Sequence, residues 1–303
     1  MSDKFSYSRV DTFVQCGFKY KLRYVDKHYL YSDSIATEVG TLIHGTEEAI
    51  ANAIKNNEAI PYIQLKNNII LKMCTLTHKY KDVFNEPDKA GRTYTEKINE
   101  YLKTGIYRLE QFIKLHTGYQ IVAAEQYFEF DFRGTVFKGF IDRIIFDSVA
   151  NKYIVQDIKT YAQPLEHDDL DPLPLQFVVY SLAMQKLFGV EPHRVSCQYD
   201  LPFCNIVQTA GTTGLSVQDT NGLKLLLDRI YAQDFEPHPS ALCHWCEFCP
   251  TNPNQPEEGK NLCPYYMLWT KDNKTKKVAN KWKGLDQHEA IMKKYLLEQQ
   301  QNE

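Results

Sequence analysis

The stretch YIVQDIKTY, residues 153–161, decides how the rest of the chain is read. Tyr153, Ile154 and Val155 are the aromatic and β-branched types that suit a pleated, half-buried surface, so the segment opens as a buried strand. Asp157 and Lys159 then follow two positions apart, a spacing that on a strand turns both side chains to one face. A salt bridge at a strand end explains such a pair taken alone. The neighbouring segments give it another meaning.

Two β-rich segments come before it, YQIVAAEQYFEFDF at 119–132 and TVFKGFIDRIIFD at 135–147, parted by Arg133-Gly134 and followed by SVANK at 148–152. Together the three predict an antiparallel meander. Its middle strand carries Asp142 among apolar residues. A hairpin of 135–146 with 153–161 brings Asp142 and Asp157 together at one end of the sheet. Two close carboxylates repel unless a divalent cation lies between them, and oxygen ligands with open positions suit Mg²⁺ or Mn²⁺. Lys159 then stands where it can orient or deprotonate an attacking water, or offset charge building on a phosphate oxygen. That is the apparatus of phosphodiester hydrolysis.

Upstream the chain reads as nearly all helix. SYSRVDTFVQCGFKYKLRY, 6–24, predicts two short helices with a turn near Cys16-Gly17, and 35–55 predicts a helix carrying His44. Residues 62–116 read as helix interrupted near 85–91. Downstream, PLQFVVYSLAMQKLFG at 174–189 predicts a helix ending at Gly189, 194–203 a strand, and 215–234 a helix. A polar helix is expected from 285.

Hydrophobic residues make up 43% and charged residues 24%, the balance of a soluble globular protein, and the net charge of −3 excludes a uniformly basic coat for nucleic acid. Two local basic patches remain, KYKLRYVDKH at 19–28 and KDNKTKKVANKWKG at 271–284. No apolar run approaches the roughly 20 residues of a membrane helix, and MSDKFSYSRVD lacks a signal-peptide pattern, so no membrane association and a cytoplasmic location are expected. Four of the eight cysteines fall in CHWCEFCPTNPNQPEEGKNLC, 243–263, which in a cytosolic chain points to metal or cluster ligation more than to disulfides. A zinc knuckle is the simplest chemical reading of four such thiolates. No GxxxxGK[ST] loop is present, so unwinding would need a separate helicase or recombination protein.

GFIDRI followed by VQDIKT resembles the core of the PD-(D/E)XK nuclease superfamily, with Asp142, Asp157 and Lys159 in the places of its metal-binding acids and lysine; Ile141 replaces the usual Pro. The flanking motifs resemble its RecB/AddB-like branch, which includes CRISPR-adaptation nucleases. GTLIHGTEE matches an upstream helix whose histidine, here His44, is a further metal ligand. PLQFVVYSLAM matches a helix with a Gln-x-x-x-Tyr pair, here Gln176 and Tyr180, and 6–25 matches an N-terminal segment with a lone cysteine, here Cys16. The likeness runs from 6 to about 268 and breaks down over 60–118 and after 270.

The resemblance implies an α/β (α+β) restriction-endonuclease-like fold, a mixed sheet flanked by helices. It implies a single nuclease domain over 1–270, with a helical insert at 60–118, a cysteine segment at 240–266 packed with 6–25, and a basic then polar tail at 271–303. It implies a Mg²⁺- or Mn²⁺-dependent exonuclease acting on single-stranded or frayed DNA in recombination, repair, phage replication or CRISPR adaptation. A 4Fe-4S cluster is implied on Cys16, Cys243, Cys246 and Cys263, with Cys249 as the substitute. Zn²⁺ is the alternative. Glu125 is a further candidate ligand, otherwise a solvent-facing strand residue, and His44 would otherwise be a satisfied core histidine. Gln176, Tyr180, Arg143 and Thr160 are candidate DNA contacts, with core packing or strand-end solvation as the plainer reading. The competing function is a catalytically silent DNA-binding scaffold that keeps the fold and the cluster or zinc.

Overall fold

The computed structural model describes residues 4–281 apart from 31–33, 89, 212–213, 251, 253–255, 260–261, 267 and 272–277. It divides into two compact units, one of residues 1–7 and 33–223, the other of 8–32 and 224–303.

The first unit is built on a five-stranded mixed sheet in the order β1 (Tyr119–Phe132), β2 (Thr135–Asp147), β3 (Lys152–Ile158), β4 (Val195–Leu201), β5 (Ile206–Ala210). The three-strand meander forms as read: β1 pairs antiparallel with β2, and β2 antiparallel with β3. Arg133 and Gly134 both have positive φ, 52° and 88°, the geometry of the tight two-residue turn whose twist suits a hairpin. Asp131 Oδ1 accepts the Gly134 N–H there, at 3.2 Å. β3 pairs parallel with β4, which requires a crossover, supplied by α8 (His167–Leu170) and α9 (Leu175–Phe188). β4 and β5 are antiparallel.

Two details depart from the sequence reading. β3 stops at Ile158 instead of 161; the Lys159 N–H still donates to Asp200 O, 2.9 Å away, as the last bond of the β3–β4 ladder before the chain leaves the sheet. β5 was not foreseen; its five residues carry two polar side chains and too little alternation to mark a strand.

α3 (Ile35–Lys55) is capped by Ser34, whose hydroxyl accepts from Thr37 N–H, and buries Val39, Ile43 and Ile50 completely. Ile121, Ile145 and Ile154 of the sheet share its core. The helical stretch that the family pattern left unplaced covers α3 from outside. α4 (Tyr62–Lys79), α5 (Lys81–Phe84), α6 (Tyr94–Lys103) and α7 (Arg108–Leu115) bring Leu65, Ile69, Leu76, Phe84, Ile98, Tyr101 and Leu109 into the same cluster. Each such burial is worth roughly 1.5–3 kcal/mol, so α3 is held on both sides and His44 rides on a rigid helix. α9 is apolar all round, and every residue from Gln176 to Met184 is buried.

The second unit contains α1 (Tyr7–Gln15) beyond its first residue, α2 (Gly17–Tyr20) continued by a π-helical turn over Lys21–Val25, the C-terminal turns of α10 (Val217–Tyr231), and the cysteine segment. Phe18, Leu22, Phe248, Cys263 and Tyr265 form its small core, with the Phe18 and Tyr265 rings edge to face at 4.9 Å. β6 (Leu268–Lys271) and β7 (Val278–Lys281) make a two-stranded sheet. Most of the basic run at 271–284 and the expected helix from 285 lie outside the described residues. No helix among the described residues is long and apolar enough to cross a membrane.

Candidate active site and cysteine cluster

Arg143 and Gln156 face each other in the β2–β3 ladder, so Asp142 and Asp157 are opposite one position further on. Asp142 Oδ2 accepts the Ile158 N–H at 2.7 Å, which ties this carboxylate to the exit of β3. His44 Nδ1 on α3 stands 3.6 Å from the same oxygen. Glu125 reaches the group from β1, and donor atoms of His44, Glu125 and Asp142 all lie within 4.8 Å of one another.

Glu125 lies inside β1, and its φ is +47°, a left-handed conformation that a non-glycine residue adopts only under local constraint. Its carboxyl is raised above the ordinary range, chiefly by burial and then by Asp142 and Glu48. Glu48 was missed by the sequence reading. It sits one helical turn after His44 on the same face of α3, a spacing visible in HGTEE.

Asp157 is buried, and its Oδ2 lies 2.7 Å from Lys159 Nζ. Burial first of all, with Asp142 adding and Lys159 opposing, pushes its carboxyl up to about 6. Burial alone would lower the Lys159 ammonium pKa, but the adjacent Asp157 outweighs it and raises it. Gln176 Nε2 donates both to Asp157 Oδ1 and to Tyr180 Oη. Gln176 and Tyr180 are therefore buried behind the carboxylate; in place of a DNA contact they hold Asp157 in position. Thr160, half-buried past the end of β3, sits against Gly40 of α3.

Arg143 corrects the sequence reading most clearly. It is 1% exposed and so offers nothing to a DNA backbone. Its guanidinium donates to Glu47 Oε2 at 2.8 Å, Asp200 Oδ2 at 2.7 Å and Gln156 Oε1 at 2.9 Å. Arg108 of α7 pairs with the other Asp200 oxygen, and Tyr101 donates to Glu47 Oε1 at 2.8 Å. Two guanidinium groups thus balance two buried carboxylates. Each inner member adjoins a site residue: Glu47 precedes Glu48, Arg143 follows Asp142, Gln156 precedes Asp157, and Asp200 O accepts the Lys159 amide.

The donor set fits a hard divalent cation: carboxylates from two strands, an imidazole from a helix, and acids whose pKa values are raised by burial first and by their neighbouring carboxylates second. In the second unit, Cys16, Cys243, Cys246, Cys249 and Cys263 line one cavity. His238 N–H donates to Cys16 Sγ at 3.3 Å and Ser240 N–H to Cys243 Sγ at 3.4 Å, contacts that favour thiolates. Burial raises the Cys263 thiol, reinforced by Cys246, Cys16 and Cys243 around it, and pushes Cys246 up to about 11. Such a crowd of thiols fits a cationic group able to draw them down as thiolates.

Among solved structures, the chain is similar to the "Putative exonuclease" of Eubacterium rectale, with 13% identity over 82% of this chain and 88% of that one and a TM-score of 0.43. It is also similar to SSO0001, with 21% identity over 54% and 80% and a TM-score of 0.29. No curated protein matches it. The family model for the PD-(D/E)XK nuclease superfamily matches residues 4–251, most of the chain, and the chain accordingly belongs to the PD-(D/E)XK nuclease superfamily.

Proposed function

We propose that this nuclease is a Mg²⁺- or Mn²⁺-dependent deoxyribonuclease that degrades single-stranded or frayed DNA ends as an exonuclease. The observation that carries the reading is the convergence of His44, Glu125 and Asp142 within 4.8 Å, beside the Asp157–Lys159 pair, in a chain of this family. His44, Asp142, Asp157 and Glu125 would hold the cation, which when bound supplies Lewis acidity and a water of lowered pKa. Lys159, braced by Asp157, presents an ammonium to the phosphate and offsets charge as the bond to the leaving oxygen breaks. Gln176 and Tyr180 keep the Asp157 carboxylate oriented, and the ion network behind the strands fixes β2 and β3 against α3.

The cavity lined by five cysteines supports a 4Fe-4S cluster, held on this reading by Cys16, Cys243, Cys246 and Cys263. Cys249 lines the same cavity and is the substitute ligand. Zinc is the competing occupant, and elemental analysis with the visible spectrum of anaerobically purified protein separates the two.

The test of function is degradation of 5′- and 3′-labelled single- and double-stranded DNA with Mn²⁺ or Mg²⁺. Stepwise shortening of single strands by the native chain, absent in Asp157→Ala, is expected. DNA binding without cleavage in either metal would favour the silent scaffold.

A further inference from the structure

Along β2, Lys138, Phe140 and Asp142 occupy alternate positions, and β2 has no irregularity of its own, so period-two geometry sets the three on one side of the strand. Burial agrees. Lys138 is exposed and Phe140 is 53% exposed, whereas Phe137, Ile141 and Arg143 are buried. A phenylalanine left in water beside a cluster of acids has no role in the core.

Phe140 is not alone. Tyr127 is its direct partner across the β1–β2 ladder, is 44% exposed, and meets it edge to face with ring centroids 5.4 Å apart. The pair is braced from its surroundings. Tyr127 Oη donates to Glu129 Oε2 at 2.6 Å, and both Glu129 oxygens accept from Lys4 Nζ at 2.8 Å, which offsets the one acid next to the rings. Gly139 lets the strand lie on the Phe128 ring, since a β-carbon there would come within 2.8 Å of it. A larger residue at 139 would push Phe140 off its line.

Tyr127 and Phe140 stand two residues from Glu125 and Asp142 on their respective strands, about 7 Å along the chain. A phosphate held at the carboxylates would place its neighbouring base within reach of these rings. A base still paired in a duplex has its faces covered by the stack, so exposed rings reward an unpaired strand. Stacking on an aromatic side chain is indifferent to base identity, as an end-degrading nuclease requires.

We propose that Tyr127 and Phe140 form a stacking platform for the unpaired base next to the scissile phosphate, with Lys138 beyond them on the following phosphate. The proposal rests on the nuclease reading of the carboxylate cluster and names the strand form and the side chains that select it.

The experiment is fluorescence anisotropy of a labelled oligo(dT), a blunt duplex of the same length and an abasic oligonucleotide, in EDTA so that no strand is cut. Binding is compared for the native chain, Phe140→Ala, Tyr127→Ala and Phe140→Trp, each checked for an unchanged melting temperature. Phe140→Ala is expected to weaken oligo(dT) binding about tenfold, to leave the abasic strand and the duplex little changed, and to be rescued by Phe140→Trp. Equal losses on oligo(dT) and the abasic strand, or no loss on oligo(dT), overturn the platform. Cleavage by the native chain is scored separately with Mn²⁺. Ring-dependent binding without cleavage would sink the nuclease reading and keep the platform, and cleavage with ring-independent binding would do the reverse.

Discussion

Lys159 Nζ stands 2.7 Å from Asp157 Oδ2 although the strand that carries Asp157 has ended one residue earlier. The lysine is thus aimed by its ion pair and by its own backbone bond to Asp200, and it keeps a quarter of its side chain in solvent.

Removing this pair or the acid opposite should stop the chemistry while sparing the fold. Asp142→Ala, Asp157→Ala and Lys159→Ala are each expected to lower the cleavage rate at least about a hundredfold. Lys159→Arg should retain a little activity, since the charge survives but not the point-like ammonium. Native rates from either purified aspartate variant would remove the cluster from the active site.

His44 is one-third exposed, so its loss should cost the metal more than the fold. His44→Ala is expected to shift the Mn²⁺ or Mg²⁺ requirement of cleavage to higher concentration with little change in DNA affinity. A drop in melting temperature together with lost activity at saturating metal would make it a packing histidine.

Stability should report the cation through pH. Asp157 and Glu125 have folded pKa values above their ordinary ones, so the folded chain holds these protons more tightly than the unfolded chain. The contribution of these two groups to stability without cation is then greatest at low pH and falls as pH rises, for Asp157 between 3.8 and about 6. Saturating Mn²⁺ is expected to raise the melting temperature more at about pH 7.5 than at about pH 5, and Glu125→Gln to melt higher than the native chain in EDTA at the upper pH. Calorimetric shifts equal at both pH values would contradict this.

Arg143 should behave oppositely to the site residues. Arg143→Ala leaves Glu47 without its cation and Asp200 with Arg108 alone, a loss of about 3–5 kcal/mol. Urea denaturation should show it as a reduced midpoint, with Arg143→Lys intermediate because an ammonium cannot serve three acceptors in a plane. A variant as stable as the native chain would mean that water enters to replace the guanidinium.

The cysteines give a visible test. Cys16→Ser and Cys246→Ser are expected to abolish the thiolate-to-iron absorption near about 400 nm and to loosen 6–25 and 240–266 to protease, since bridging such distant segments mainly penalises the unfolded chain. Cys249→Ser should stay coloured. A brown Cys16→Ser protein would place the cluster on the four C-terminal cysteines.

The sheet was legible because its strands carry strong β patterns and a two-residue turn. The approach of Asp142 and Asp157 followed from the register of the β2–β3 hairpin, which the short SVAN connection at 148–151 nearly dictates. Arg143 was misread because strand alternation tells which residues share a face but not which face a helix covers. Only the packing of α3 and α7 shows it turned toward Glu47 and Asp200. Glu48 needed a periodicity argument from His44, and β5, short and polar, left no periodicity to read.

Sequences descending from this one inherit the Arg108–Asp200–Arg143–Glu47 chain of charges as a unit. A single codon change at any of the four leaves an unbalanced charge in the interior, whereas a concerted change to apolar residues of similar bulk need not. Drift at these positions is therefore expected to come in correlated steps, and a lineage that has lost one of them will have rebuilt the others.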